Sequence, residues 1–65
     1  MEGKVKWFNE KKGYGFIQST EGKEYFVHYK NINGNGFKNL LEDQRVSFEA
    51  FDEPKGPVAK DVKVI

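Results

Sequence analysis

Lys12-Gly13-Tyr14-Gly15-Phe16-Ile17 is the stretch whose reading decides the fold. Aromatic and small residues alternate with a period of two, the spacing of a β-strand and not of a helix. In a strand, Tyr14 and Phe16 share one side while Gly15 and Ile17 share the other. Ile17 suits an interior, so the two rings face outward beside Lys12. Outward rings next to a cation suit a ligand with flat faces and negative charge.

The same period extends in both directions. Residues 3–9 read as a first strand with Val5 inward. Simple alternation then buries Trp7 and exposes Phe8, whereas a β-bulge reverses the pair; both arrangements fit the pattern. Residues 9–13 form a turn and residues 14–19 a second strand. Thr20-Glu21-Gly22-Lys23 is a hairpin loop. Residues 24–29 make a third strand, with Phe26 and His28 on one face and Tyr25, Val27 and Tyr29 on the other.

From residue 30 to residue 44 the period is lost. One helical turn fits around Asn31-Ile32, and Asn33-Gly34-Asn35-Gly36 reads as loop. Residues 45–52 alternate again, with Val46, Phe48 and Ala50 inward and Ser47, Glu49 and Phe51 outward. Glu53-Pro54-Lys55-Gly56-Pro57 is a turn, and residues 58–65 form a last strand with Val62 and Val64 in the core. The chain is all-β. Five short strands in an open sheet expose too many edges, so closure into a small barrel is expected. No repeat or linker interrupts residues 1–65, which read as a single domain.

Composition narrows the function. The 65 residues contain no cysteine and one histidine, which leaves no disulfide staple and no set of ligands for a structural zinc ion. Net charge is +1 from 11 cations and 10 anions. A strong phosphate binder is usually visibly basic, so any positive face must come from segregation of charge. Glu42-Asp43, Glu49 and Asp52-Glu53 read as a solvated acidic side that turns the positive face toward a ligand. No apolar run nears the ~18 residues of a membrane span. No signal-peptide pattern opens the chain, and a reducing cytoplasm suits it. Ten of the 65 residues are aromatic, more than so small a core can hide.

Four blocks of the sequence resemble the cold-shock domain family: Gly3-Lys4-Val5-Lys6-Trp7-Phe8-Asn9, Lys12-Gly13-Tyr14-Gly15-Phe16-Ile17, Phe26-Val27-His28-Tyr29 and Gly34-Asn35-Gly36-Phe37-Lys38. They occur in family order and span the chain. The resemblance implies a small five-stranded antiparallel barrel of the oligonucleotide-binding type. It also implies binding of single-stranded RNA and DNA, with pyrimidine-rich strands preferred, RNA chaperone activity, and influence on transcription and translation. A monomer without catalytic activity, cofactor or metal is expected. Carried over by position, the nucleic-acid-binding residues are Lys6, Trp7, Lys12, Tyr14, Phe16, Phe26, His28, Tyr29 and Phe37, with Phe8, Lys38 and Lys55 as additions. The resemblance further implies that Trp7 and Tyr29 are exposed, the latter because its strand is ending.

The residues themselves support that chemistry. Single-strand binders pair stacking rings with a cationic groove, and each stacked base contributes ~1–3 kcal/mol. Read singly, His28 is an ordinary surface histidine, and Lys11-Lys12 an ordinary turn. Gly34-Asn35-Gly36 lacks the strand and helix that a phosphate-cradling loop requires. Tyr14, Phe16, Phe26 and His28 together, on one face of two adjacent strands, define a surface. A second reading gives that surface to a Pro-rich peptide, which aromatic grooves also bind. Flanking lysines in place of acidic residues favour the nucleic acid.

Overall fold

The computed structural model describes residues 1–33 and 40–65. Five strands carry the fold: β1 (Glu2–Asn9), β2 (Tyr14–Ser19), β3 (Glu24–His28), β4 (Arg45–Glu53) and β5 (Gly56–Val64). A 3₁₀ turn at Tyr29–Asn31 follows β3. In the order β1-β2-β3-β5-β4 the strands close into a barrel. Four pairings are antiparallel, and β3 meets β5 in parallel, Phe26 opposite Val58 and Val27 opposite Ala59. Closure is the answer to the edge problem that five short strands pose.

Two bulges set which side chains enter the barrel. On β1, Val5 faces Ile17 but Trp7 faces Phe16, so Lys6 is an extra residue. Alternation restarts after it: Trp7 points out, and Phe8 packs half-buried against the core. Of the two arrangements that the pattern allows, the bulged one is adopted. On β5, Lys60 faces Glu49 and Lys63 faces Ser47, so Phe48 alone stands opposite Asp61 and Val62. Asp61 takes a left-handed φ of 54°. Its side chain accepts a hydrogen bond from Asn33 Nδ2, 28 positions earlier in the chain, at 2.8 Å, and Asp is among the few non-glycine residues that visit that region.

Inside lie Val5, Ile17, Tyr25, Val27, Ile32, Leu40, Val46, Phe48, Ala59 and Val62. Among the described residues only two rings, Tyr25 and Phe48, belong to this core, and they pack against each other at 5.2 Å. The remaining described rings are partly or largely exposed, as the aromatic excess requires. No buried side-chain nitrogen or oxygen among the described residues lacks a hydrogen-bond partner.

Two expected core members lie outside it. Ala50 is exposed, because β4 pairs with β1 only through Ser47 and then runs on with β5 as a two-stranded hairpin. Val64 is 46% exposed. Past Val62, β5 has β4 alone as a neighbour among the described residues. The β4–β5 turn is also tighter than expected, with Pro54 and Lys55 alone between the paired Glu53 and Gly56.

Candidate nucleic-acid interface

Register across β1, β2 and β3 assembles the rings. Trp7 stands opposite Phe16, Phe16 opposite Phe26, and Tyr14 opposite His28. Four of them form a closed circuit on the outer face. Trp7 meets Tyr14 at 5.9 Å and Phe16 at 5.5 Å; Phe26 meets Tyr14 at 5.7 Å and Phe16 at 5.8 Å. Each ring therefore touches two others. Such contacts contribute about 0.5–1.5 kcal/mol each and hold the side chains in place before any ligand arrives. Trp7 is 41% exposed, the most open of the four.

His28 and Tyr29 extend the surface, with their rings 4.5 Å apart. Strand β3 ends at His28, so Tyr29 enters the 3₁₀ turn and escapes the inward position that parity assigns it. The Nδ1 of His28 accepts the backbone N–H of Lys30 at 3.2 Å. That bond orients the imidazole through Nδ1.

Two glycines make the geometry possible. A side chain at Gly13 would place its Cβ 2.6 Å from the Tyr29 ring, and Gly13 has a φ of +78°. The Gly13 carbonyl also accepts the Tyr29 N–H at 2.8 Å, which ties the first turn to the end of β3. Gly15 faces the interior. A Cβ there would lie 2.2 Å from the Trp7 carbonyl and 2.7 Å from the Phe8 Cα. The bulged backbone of β1 fits only because Gly15 has no side chain.

The cations are arranged less simply than the rings. Lys12 is exposed on the turn, where its backbone N–H is held by Asn9 Oδ1 at 2.9 Å. Lys6 pairs with Glu24 at 2.5 Å. Lys55 sits at the tip of the β4–β5 hairpin and lines a groove of about 600 Å³ that runs from the ring surface toward that hairpin. Phe16, Phe26 and His28 form one wall of the groove, Lys30 stands at one end, and Pro57 and Lys60 lie on the β5 side. Lys60 and Pro57 escape a sequence reading because β5 adjoins β3 only through barrel closure. Glu24 and Glu53 line the groove as well. The acidic residues are thus not gathered on a separate side, since Glu53 lies beside the rings, paired with Lys60 at 2.8 Å.

Of the other expected binding residues, Phe8 packs toward the core and stands apart from the ring circuit. Phe37 and Lys38 lie outside the described residues. No cluster of three or more histidine, cysteine or acidic side chains placed to hold a metal occurs among the described residues. No helix among them is long and apolar enough to cross a membrane.

A small closed barrel with aromatic side chains from three adjacent strands on its outer face defines the oligonucleotide-binding class of barrel. Residues 1–65 match the family described as the 'Cold-shock' DNA-binding domain. The protein belongs to the cold-shock domain family. It is 55% identical to a cold shock-like protein of Thermotoga maritima, with 100% of this chain and 98% of that one aligned. It is 54% identical to the cold shock-like protein CspC of Escherichia coli K12, over 100% and 96% of the two chains. Among solved structures, a segment of Drosophila Unr titled CSD456 superposes with a TM-score of 0.79. That likeness covers 98% of this chain and 26% of the longer one; at 18% identity it speaks for the fold alone.

Proposed function

We propose that the protein binds single-stranded RNA and DNA by stacking unpaired bases on Trp7, Tyr14, Phe16, Phe26 and His28, and acts as an RNA chaperone. The observation that carries this reading is the closed circuit of four outward-facing rings on β1, β2 and β3, Trp7 exposed and the other three half-buried. Stacking offers ~1–3 kcal/mol per base, against a mean of about 1.4 kcal/mol for each base-pair step lost. A strand of a few nucleotides on the rings therefore balances the opening of a short, weak stem but not of a long one. That is the energetic range of a chaperone that melts local structure without trapping its RNA. Opening hairpins in nascent or messenger RNA is the route by which such binding alters transcription and translation.

The ring surface accepts any base, because every base has a π face. Pyrimidine-rich strands are preferred, since pyrimidines stack weakly on one another and lose less on leaving the strand. Charge plays the smaller part: Lys6 and Lys60 already have carboxylate partners, so the salt dependence is shallow. The protein acts as a monomer in the cytoplasm, without cofactor or catalysis.

Titration of a short pyrimidine-rich oligonucleotide, followed by Trp7 fluorescence, tests the reading. Quenching by the single strand and none by the matching duplex is expected. Absence of quenching at micromolar protein in low salt overturns it, and quenching by a Pro-rich peptide in its place assigns the surface to protein recognition.

A further inference from the structure

The groove that leads from the rings to the β4–β5 hairpin contains an ion pair that base stacking does not explain. Lys60 Nζ lies 2.8 Å from Glu53 Oε2, and their side chains are 40% and 43% exposed. The same ammonium sits 5.0 Å from the centre of the Phe51 ring. Lys60 is therefore held at the groove from two sides, while its remaining N–H donors point to no acceptor among the described residues. Phe26 and His28 belong both to the groove wall and to the stacking surface. A strand that leaves the rings in this direction meets Lys60.

We propose that Lys60 is a phosphate-binding residue for the strand leaving the rings, and that Glu53 is a built-in competitor for it. The inference rests on the reading of the ring surface as a single-strand site. An exposed ion pair shifts an equilibrium by about fivefold at most, so a phosphate can displace the carboxylate. The exchange has a distinct signature. When a lysine neutralises a phosphate, counterions condensed on the strand are released, and the affinity becomes salt-dependent with a slope near −0.7 per phosphate for single strands. Here Glu53 loses its partner in the same step and takes up a cation from solution. Uptake offsets release, and Lys60 contributes contact without salt dependence. Phe51 keeps the ammonium at the groove throughout, which gives that exposed ring a purpose.

Glu53→Gln tests this without disturbing the rings. Binding is measured for the wild type, E53Q, and E53Q combined with Lys60→Gln, using oligothymidylates of about four and about eight nucleotides, lengths within the site sizes of such folds. For the longer strand, E53Q is expected to tighten binding about two- to fivefold in low salt and to steepen the salt slope by about 0.7. The shorter strand, held by the rings alone, shows neither change. K60Q added to E53Q removes both gains. The proposal is overturned if E53Q leaves the longer strand unchanged or weakens it, if the shorter strand gains equally, or if the gains survive K60Q. A wild-type protein that binds neither length removes the stacking reading itself, a result separate from these.

Discussion

Strands β1 and β5 each carry one extra residue, and the two bulges are held open by opposite means. At Lys6 the support comes from across the ladder. The β1 backbone presses onto Gly15, whose missing Cβ leaves room for the Trp7 carbonyl. At Asp61 the support is the residue's own left-handed φ of 54°, steadied by a hydrogen bond that its carboxylate accepts from Asn33, 28 positions earlier in the chain. Their outcomes differ too. The first bulge turns Trp7 out to complete the ring circuit and leaves Phe8 against the core. The second lets Ala59 and Val62, three residues apart, both enter the core, while Lys60 between them stays at the groove. One bulge builds the ring surface, and the other supplies its flank. A bulge propped by a neighbouring strand tolerates no side chain there; one propped by its own conformation depends on its own residue type.

The largest expected effect breaks the first bulge. Gly15→Val drives a branched side chain into the β1 backbone, which cannot move aside as a flexible side chain would. A loss of about 3 kcal/mol or more is expected, read as a lower urea midpoint. Gly15→Ala is expected to show the same direction with a smaller shift. An unchanged midpoint for both would mean that the bulge does not rest on Gly15.

Next come the rings that this bulge serves. Phe16→Ala and Phe26→Ala are each expected to weaken single-strand binding by ~1–3 kcal/mol, with the fold retained. Comparable losses of stability would move these side chains from the surface to the core. At the second bulge, Asp61→Val places a β-branched residue at positive φ, for about 1–2 kcal/mol of destabilisation. Asp61→Gly relieves the conformation but loses the Asn33 contact, and thermal unfolding is expected to stay within about 0.5 kcal/mol of the wild type. If valine and glycine behave alike, the left-handed conformation is not what holds this bulge.

Phe51→Ala is the smallest change. The ring is 44% exposed, with the Lys60 ammonium 5.0 Å from its centre. Its removal is expected to alter stability by about 0.5 kcal/mol and to leave a short oligonucleotide bound as before.

Much of this architecture is legible in the sequence. The alternation at Tyr14-Gly15-Phe16-Ile17 places β2 and its faces correctly, and Val5, Val27, Val46 and Phe48 lie inside as their parity implies. Parity misled at Ala50 and Val64, because it reports which way a side chain points and not whether another strand covers it. Charge misleads at Glu53, which reads as part of a solvated acidic side and lines the groove. The Asp61 bulge leaves no signal that alternation can catch, since Asp tolerates positive φ but more often sits elsewhere.

By itself, the sequence determined the strand periods, the turns and the excess of rings over core volume, because these follow from residue type and spacing at short range. Tertiary structure alone decided which bulges form, which strand lies beside which, and hence that Lys60 and Glu53 of the β4–β5 hairpin flank Phe26 of β3. The parallel closure of β3 on β5 joins segments about thirty residues apart in the chain. Nothing local encodes that contact; it exists because a five-stranded sheet of this size has to bury its last edges.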